Sequence, residues 1–187
     1  MVKIDHIRHE IALPDGVSAN FSDSTLTVEG PNGSMSRDFH HSRVQLTQQN
    51  GSLVVEIELP RRKEKAIAGT WRAHIANMVH GVTEGFEYRM KAVYSHFPMA
   101  LSVNSDNSEF TITNLLGEKV PRIAGLMYHK DGIEVKVEKK VHVVITGIDR
   151  EKVGQTAAII ERACRITGRD RRVFQDGVYI VSKGGRR

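Results

Sequence analysis

The segment "DREKVGQTAAIIERACRI", residues 149–166, decides the fold. Its apolar residues recur at helical spacing and predict one buried stripe. Asp149 is the expected N-cap, with Ile148 and Val153 placed to form a hydrophobic staple. We expect Gly168 to close this helix in a left-handed conformation. The residues of the predicted stripe are Val153, Ala157, Ile160 and Cys164.

A similar helical pattern, "RKEKAIAGTWRAHIANMV" (62–79), lies earlier in the chain. Each helix follows two matching pairs of extended segments. "STLTVEGPNGSMSRDF" (24–39) resembles "SEFTITNLLGEKVPRI" (108–123). "QNGSLVVEIE" (49–58) resembles "KDGIEVKVEKKVHVVI" (130–145). The three elements recur in one order at spacings of roughly 81 to 87 residues, which indicates an internal duplication.

Each copy combines alternating strands with one amphipathic helix, and neither shows the strand-helix-strand order of a parallel sheet. We predict an α+β fold of two tandem, duplicated domains, 1–82 and 83–187, each a small antiparallel sheet packed against one helix. Asn32–Gly33 and Asn50–Gly51 are predicted type I′ hairpin turns. The apolar stripe predicted for the first helix consists of Ile67, Trp71, Ile75 and Met78.

The positive charge of the chain is concentrated at one end. The net charge is +5, and residues 165–187 hold seven Lys/Arg against two Asp/Glu. This leaves 20 basic and 20 acidic residues in 1–164, so the last 23 residues carry the whole excess. Such asymmetry favours an anionic partner, most often nucleic acid, at this end.

The composition excludes several classes of protein. No apolar run reaches the roughly 18 residues that a membrane span needs, and the start "MVKIDHIRHEIALPDG" does not resemble a secretory signal. The single cysteine, Cys164, excludes an internal disulfide framework and suits a reducing compartment. We therefore expect a soluble, intracellular protein with an aliphatic core.

No catalytic or metal-binding pattern is present. The nine histidines include His6, His9 and the pair His40–His41, but none has the spacing of a zinc site. Hydrogen-bonded or solvated histidines are the better interpretation, with His74 as a core histidine. Cys164 lies on the predicted buried stripe and is interpreted as packing. We predict no enzyme activity, no catalytic residue, no metal and no cofactor.

Several longer sequence segments point to a known family. They are "GIDREKVGQTAAIIERACRI" (147–166), "GRDRRVFQDGVYIVSKG" (168–184), "LTVEGPNG" (26–33) and "GTWRAHIANMVHGVTEGFEYRMKAVYSHFP" (69–98). In this order they resemble the ribosomal protein L-six family of the large subunit, across essentially the whole chain. The "YKGKGIRY"-type ending of the bacterial branch is missing, so the resemblance is to the archaeal and eukaryotic type.

The resemblance implies a structural constituent of the large ribosomal subunit in the cytoplasm. Members of this family bind large-subunit rRNA near the stalk base, close to the rRNA loop that contacts translational GTPases. The second domain is expected to make most of the rRNA contact. The implied partners are this rRNA and neighbouring ribosomal proteins at the stalk base, with no membrane and no small-molecule substrate.

The outer face of the second helix and the segment after it are the predicted rRNA-binding surface, because arginine can grip a phosphate with two donors or stack on a base. Phe174 and Tyr179 are candidates to stack on bases. The alternative role is to anchor the tail on the sheet. For Phe174 anchoring is favoured over stacking, and for Tyr179 the two roles are equally favoured. The apolar run 178–181 is expected to pin the segment, and 183–187 to be a less ordered remainder. The predicted rRNA-binding residues are Lys152, Gln155, Arg162, Arg165, Arg169, Arg171, Arg172, Tyr179, Lys183, Arg186 and Arg187.

Three alternative functions remain open at this point. A non-ribosomal RNA-binding module or a ribosome assembly factor would show the same basic end. An enzyme that acts on RNA between the two domains would require a convergent polar cluster, which the sequence does not show. A protein–protein scaffold would not require the lopsided charge.

Overall fold

The computed structural model describes residues 6–49, 51–95, 97–170 and 172–184. The chain divides into two compact units, Met1–Gly85 and Phe86–Arg187. The division follows Gly85 rather than residue 82, because the first helix continues to Thr83 and Gly85 then takes a left-handed φ of 76°. No helix within the described ranges is long and apolar enough to span a bilayer.

The described residues of the first unit form two antiparallel three-stranded sheets and one helix. The strand orders are β1–β6–β5 and β2–β3–β4, and helix α1 contacts strands of both sheets. The elements are β1 (His6–Ala12), β2 (Ser18–Ser22), β3 (Thr25–Gly30), β4 (Gly33–Asp38), β5 (Gln45–Gln49), β6 (Ser52–Glu58) and α1 (Arg62–Thr83).

The second unit has the same kind of architecture. Its described residues form a four-stranded sheet of order β11–β12–β7–β13 and a three-stranded sheet of order β10–β9–β8, and α2 contacts strands of both. The elements are β7 (Phe86–Val93), β8 (Ala100–Val103), β9 (Glu109–Thr113), β10 (Arg122–Gly125), β11 (Glu134–Glu138), β12 (His142–Gly147), α2 (Arg150–Ala163) and β13 (Gly177–Lys183).

The two units repeat one order of elements. β1 pairs with β6 as β7 pairs with β12, and the hairpins β3–β4 and β9–β10 hold the same place in the chain. The predicted α+β class and duplication are confirmed. Each unit has two sheets where one was predicted, because alternation identifies a strand but not which strands share hydrogen bonds. β13 covers the other edge of β7 and has no counterpart among the described residues of the first unit.

Both helices bury the stripes that their spacing predicts. In α1, Trp71, Ile75 and Met78 are buried, whereas Ile67 is half-buried. The Phe39 ring meets the Trp71 ring edge-on, with the centroids 5.3 Å apart. All four residues of the predicted α2 stripe are buried. Each helix therefore contributes its apolar side to the core of its own unit.

The predicted start of α2 is confirmed and its predicted end is wrong. The Asp149 carboxylate accepts a hydrogen bond from the backbone N–H of Glu151 at 2.8 Å, as an N-cap does. The helix ends at Ala163 with Cys164 as the cap residue. Gly168 has a left-handed φ of 73°, but it turns the loop beyond the helix. A side chain, described below, donates a hydrogen bond to the carbonyl of Ala163, the last residue of the helix.

The hairpin turns differ from the predicted pattern in one case. Gly33 pairs with Gly30, so the loop residues of β3–β4 are Pro31 and Asn32 rather than Asn32 and Gly33. Gly51 takes the predicted positive φ of 78° between Gln49 and Ser52, while Asn50 lies outside the described residues. A type I′ signature without glycine, missed in the sequence, occurs between β2 and β3. It consists of Asp23 and Ser24, with φ of 50° and 67°.

The β3–β4 loop closes the C-terminal end of α1. Asn32 donates from its backbone N–H to the Val82 carbonyl and from its side-chain amide to the Thr83 carbonyl, both at 2.9 Å. These carbonyls have no partner within the helix itself. The approach is close, since a Cβ at Gly30 would lie 2.8 Å from the Val82 carbonyl oxygen. Gly30 is therefore required for the hairpin to reach the helix end.

We expect Gly30→Ala to lower the free energy of unfolding of the first unit by about 1–3 kcal/mol, because the new methyl group overpacks against a backbone carbonyl. Gly69→Ala in α1 is the matched control. No heavy atom lies within 4 Å of a Cβ at Gly69, so alanine there should stabilise the helix by about 0.5–1 kcal/mol. Urea unfolding followed by the fluorescence of Trp71, the single tryptophan, measures both. A Gly30→Ala protein as stable as the parent would contradict the close approach.

Candidate nucleic-acid interface

The outer face of α2 carries part of the predicted surface. Gln155, Arg162 and Arg165 are exposed at its side and C-terminal end. Lys152 lies near the other end, is half-buried, and forms an ion pair with Asp131 at 3.3 Å. The cations available at the C-terminal end of the helix are therefore the arginines, and Lys152 is separated from them by nearly three helical turns.

The duplication provides an internal comparison for this face. Both helices bury one stripe of side chains and expose cations on the opposite side. The exposed cations of α1 include Lys65 and Arg72. The second unit differs in the segment after its helix, where Arg165, Arg169 and Arg172 lie close together in sequence.

Arg122, at the start of β10, holds the C-terminal end of α2. Its Nη1 donates to the carbonyl of Ala163 at 3.1 Å and to that of Arg165 at 2.8 Å. The same guanidinium donates to both carboxylate oxygens of Glu118, at 2.6 and 2.8 Å. The hydrogen bonds from Arg122 hold the pKa of Glu118 below its usual value, and Glu118 in turn raises the pKa of Arg122. The pair is thus charged, and a cation sits on the negative end of the helix dipole.

Side chains of the loop after α2 order one another. Asp170 accepts hydrogen bonds from the backbone N–H and from Nη2 of Arg172, each at 2.9 Å. The guanidinium of Arg169 lies over the Phe174 ring, 4.9 Å from its centroid, as in a cation–π contact. Arg171 lies outside the described residues. Two of the three clustered arginines are therefore oriented by neighbours within the loop.

Tyr179 and Lys183 lie on β13. The Tyr179 hydroxyl donates to the Gln175 carbonyl at 2.8 Å, and its ring lies over Gly177, where a Cβ would be 3.3 Å from ring atoms. Lys183 is exposed and part of the strand, which corrects the expectation that it begins a less ordered remainder. The backbone pairing of β13 with β7 accounts for this order.

The apolar run predicted to pin this segment does so only in part. Val178 is buried and Ile180 is half-buried, but Val181 is 68% exposed. Side chains alternate between the two faces of a strand, so Val181 points the same way as the exposed Tyr179. The register with β7 shifts between Ile180 and Ser182. Arg186 and Arg187, also predicted to bind rRNA, lie outside the described residues.

A groove gathers several of these side chains at the end of α2. It has a volume of about 720 Å³ and includes Arg162, Arg165, Arg172, Phe174 and Tyr179 in its lining. Of the predicted rRNA-binding residues, the groove thus brings together four, while Lys152, Gln155 and Lys183 lie outside it. Arg169 is connected to it through the Phe174 ring. The buried residues that line it are Cys164, Ile166 and Val178.

Sequence reasoning missed the residues that support this surface. Glu118 and Arg122 stand four positions apart, a spacing that signals an ion pair only on a helix, and these two do not share one. The contact of Arg122 with Ala163 spans 41 positions and left no local signal. Arg172 and Asp170 stand two positions apart in one charge cluster, so their ion pair could have been predicted from the sequence.

The surroundings of His41 and Cys164 indicate structural roles for both side chains. His41 Nδ1 accepts hydrogen bonds from the backbone N–H groups of Arg43 and Val44, each at 3.1 Å. Burial raises the pKa of the Cys164 thiol, which disfavours the reactive thiolate. Within the described ranges, no group of three or more His, Cys, Asp or Glu could hold a metal ion.

Comparison with known proteins identifies the relatives of this chain. The profile of the family described as Ribosomal protein L6 matches residues 13–85 and 97–177. The chain belongs to the ribosomal protein L6 family. A relative from Methanobrevibacter smithii, named "Large ribosomal subunit protein uL6", is 48% identical over 98% of this chain and 99% of its own length. A protein of the same name from Desulfurococcus amylolyticus is 42% identical over 98% of each chain.

Membership of the L6 family confirms the resemblance read from the sequence, and both of these relatives are archaeal. The family is structural and non-enzymatic, which confirms the prediction that the chain is not an enzyme. The two profile matches fall in the two units, in agreement with the duplication. The second match ends at residue 177, so Tyr179 and Lys183 lie beyond it.

We expect Arg122→Ala to lower the free energy of unfolding of the second unit by about 1–3 kcal/mol, because the helix-end carbonyls and Glu118 lose their partner. Differential scanning calorimetry measures the change. Arg89→Ala, which removes an exposed arginine that pairs with Glu87, is the control and should have little effect, as exposed pairs contribute about 0–1 kcal/mol. Equal stability of Arg122→Ala and the parent would contradict a capping role.

The ion pair between Glu118 and Arg122 predicts that the stability of the folded protein depends on pH. The ordinary pKa of a glutamate is 4.5, and that of Glu118 is lowered in the folded protein. Its contribution to stability is therefore present above that ordinary value and is lost as the pH falls through the lowered folded value. A Glu118→Gln variant should lose less stability on acidification over this range than the parent does. An identical pH profile for the two proteins would contradict the assignment.

Proposed function

We propose that this protein is a structural component of the large ribosomal subunit, in the cytoplasm, and binds large-subunit rRNA near the stalk base. The site lies at the contact region of translational GTPases, and neighbouring ribosomal proteins at the stalk base are further partners. Family membership and the names of the two archaeal relatives support the ribosomal role. The finer location is supported by the family resemblance of the sequence.

The observation that carries the proposal is the concentration of exposed positive charge at one end of the second unit. Residues 165–187 hold seven Lys/Arg against two Asp/Glu, and Arg162, Arg165 and Arg172 line one groove. The core does not require these cations, because all three side chains are exposed. An excess of exposed positive charge at this end favours an anionic partner.

The chemistry of the surface suits phosphates. Arginine offers a planar fork of donors that matches two phosphate oxygens, and each contact releases condensed counterions from the RNA. The Arg172–Asp170 pair does not prevent this use. It is exposed to solvent, which weakens the attraction between the two charges, so a phosphate can replace Asp170 at little cost.

The remaining predicted residues differ in how readily their side chains can reach RNA. Lys183 and Gln155 offer exposed groups outside the groove, whereas Lys152 must exchange Asp131 for a phosphate. Arg171, Arg186 and Arg187 stay in the proposal on their charge alone. Tyr179 supplies an aromatic ring at the groove, and Phe174 already has Arg169 on its ring.

We expect the double change Arg162→Ala/Arg165→Ala to weaken binding to an rRNA fragment that contains the stalk base and the GTPase-contact loop. The magnitude of the slope of log K against log salt should fall by about 1.4–1.8, since each of the two phosphate contacts contributes about 0.7–0.9. Titrations at a series of salt concentrations measure both quantities.

The control is Lys65→Ala/Arg72→Ala, which removes the same charge from exposed positions of α1. It should leave affinity and slope close to those of the parent. Thermal unfolding should show that both double variants remain folded. Parent-like binding of Arg162→Ala/Arg165→Ala across the salt series would overturn the proposed surface.

Sedimentation tests the ribosomal role separately from the surface. The protein should remain with large subunits after a high-salt wash, as an integral component does, while the Arg162→Ala/Arg165→Ala variant should be incorporated less efficiently. Release of the parent protein by the wash would favour the alternative of an assembly factor or a free RNA-binding module.

A further inference from the structure

The groove at the end of α2 has an exposed aromatic ring among its cations. Cys164, Ile166 and Val178 beneath it are core side chains, 5%, 8% and 0% exposed. The surface open to a ligand therefore includes Tyr179 and the arginines around it. A row of phosphates requires exposed cations but does not require an aromatic ring. The volume of about 720 Å³ lies within the range of roughly 300–1,000 Å³ typical of small-ligand pockets. The groove therefore suits a flat ring with charged groups attached to it.

The walls supply an aromatic surface in a fixed position. The Tyr179 hydroxyl is held by the Gln175 carbonyl at 2.8 Å and its ring lies over Gly177. The side chain nevertheless remains 40% exposed. A ring fixed in this way loses little entropy when a second ring stacks against it. Nucleobases stack on such side chains where RNA is unpaired.

The charged residues at the rim are mixed in a way that distinguishes a base from a phosphate. Arg162, Arg165 and Arg172 line the groove together with one carboxylate, Glu161. A carboxylate repels a phosphate, but it accepts hydrogen bonds from the N–H groups on the edge of a base. The arginines would then hold the phosphates on either side of that nucleotide.

We propose that this groove holds one unstacked nucleotide of the bound RNA. Its base stacks on the Tyr179 ring beside Glu161, and its flanking phosphates contact the arginine rim. The inference rests on the proposed function and adds to it a mode of recognition. The protein reads an extrahelical nucleotide at this position, rather than only the backbone of a helix.

The test combines protein variants with base deletion in the RNA. Each unpaired nucleotide of the rRNA fragment is replaced in turn by an abasic one. We expect one position at which removal of the base weakens binding by about tenfold, as loss of a base–aromatic stack does. Tyr179→Ala should weaken binding of the intact fragment to a similar degree, and should have no further effect on the fragment that is abasic at that position.

Two further variants separate the ring from its surroundings. Tyr179→Phe keeps the ring and should bind within about twofold of the parent. Ala158→Leu fills the groove from the helix side, and should bind the intact fragment no better than the abasic one. It keeps the proposal testable if Tyr179→Ala does not fold. Tyr94→Ala removes a tyrosine of similar exposure, 41%, outside the groove, and should leave binding unchanged.

The outcomes distinguish this inference from the proposed function. If no abasic position matters, or if Tyr179→Ala weakens the intact and abasic fragments equally, the nucleotide pocket is wrong. The proposed function then still stands if Arg162→Ala/Arg165→Ala reduces affinity and salt slope. If those arginine changes also have no effect, both proposals fail.

Discussion

The contact between Arg122 and the last carbonyls of α2 is the constraint on which the rest of the second unit's surface depends. A helix end with unpaired carbonyls carries partial negative charge and repels phosphate. Arg122 binds the Ala163 and Arg165 carbonyls, and Glu118 holds it there. The basic groove can therefore begin at a helix terminus that would otherwise oppose it. In the first unit Asn32 performs the equivalent closure with neutral amides.

Duplication followed by divergence explains the distribution of charge along the chain. The two units share the order of strands, the helix and a buried helical stripe. Two features of the second unit stand out among the described residues. Arginines gather in the segment after its helix, and β13 adds a strand to the edge of β7 and brings Tyr179 to the groove. The fold is thus common to both copies, while the candidate site belongs to one.

Local chemistry was predictable from the sequence, and long-range pairing was not. The stripe of α2 and its Asp149 cap follow from spacing within a few residues, and both were predicted correctly. The second sheet of each unit and the Arg122 contact depend on residues distant in sequence. The predicted end of α2 at Gly168 was wrong for this reason, since a side chain from another strand closes the helix. The predicted binding set mixes residues that the groove unites, such as Arg162, with residues outside it, such as Lys152.

The pairing of β13 with β7 has a consequence for the order in which the protein matures. These strands are the first and last of the second unit, joined across almost its whole length. During synthesis the first unit can fold as soon as it has emerged, because all its described strands and its helix precede residue 86. The groove cannot form until Gly177–Lys183 has also been made. A nascent chain therefore lacks a complete groove, and the proposed binding surface appears late, after the scaffold that positions it is already built.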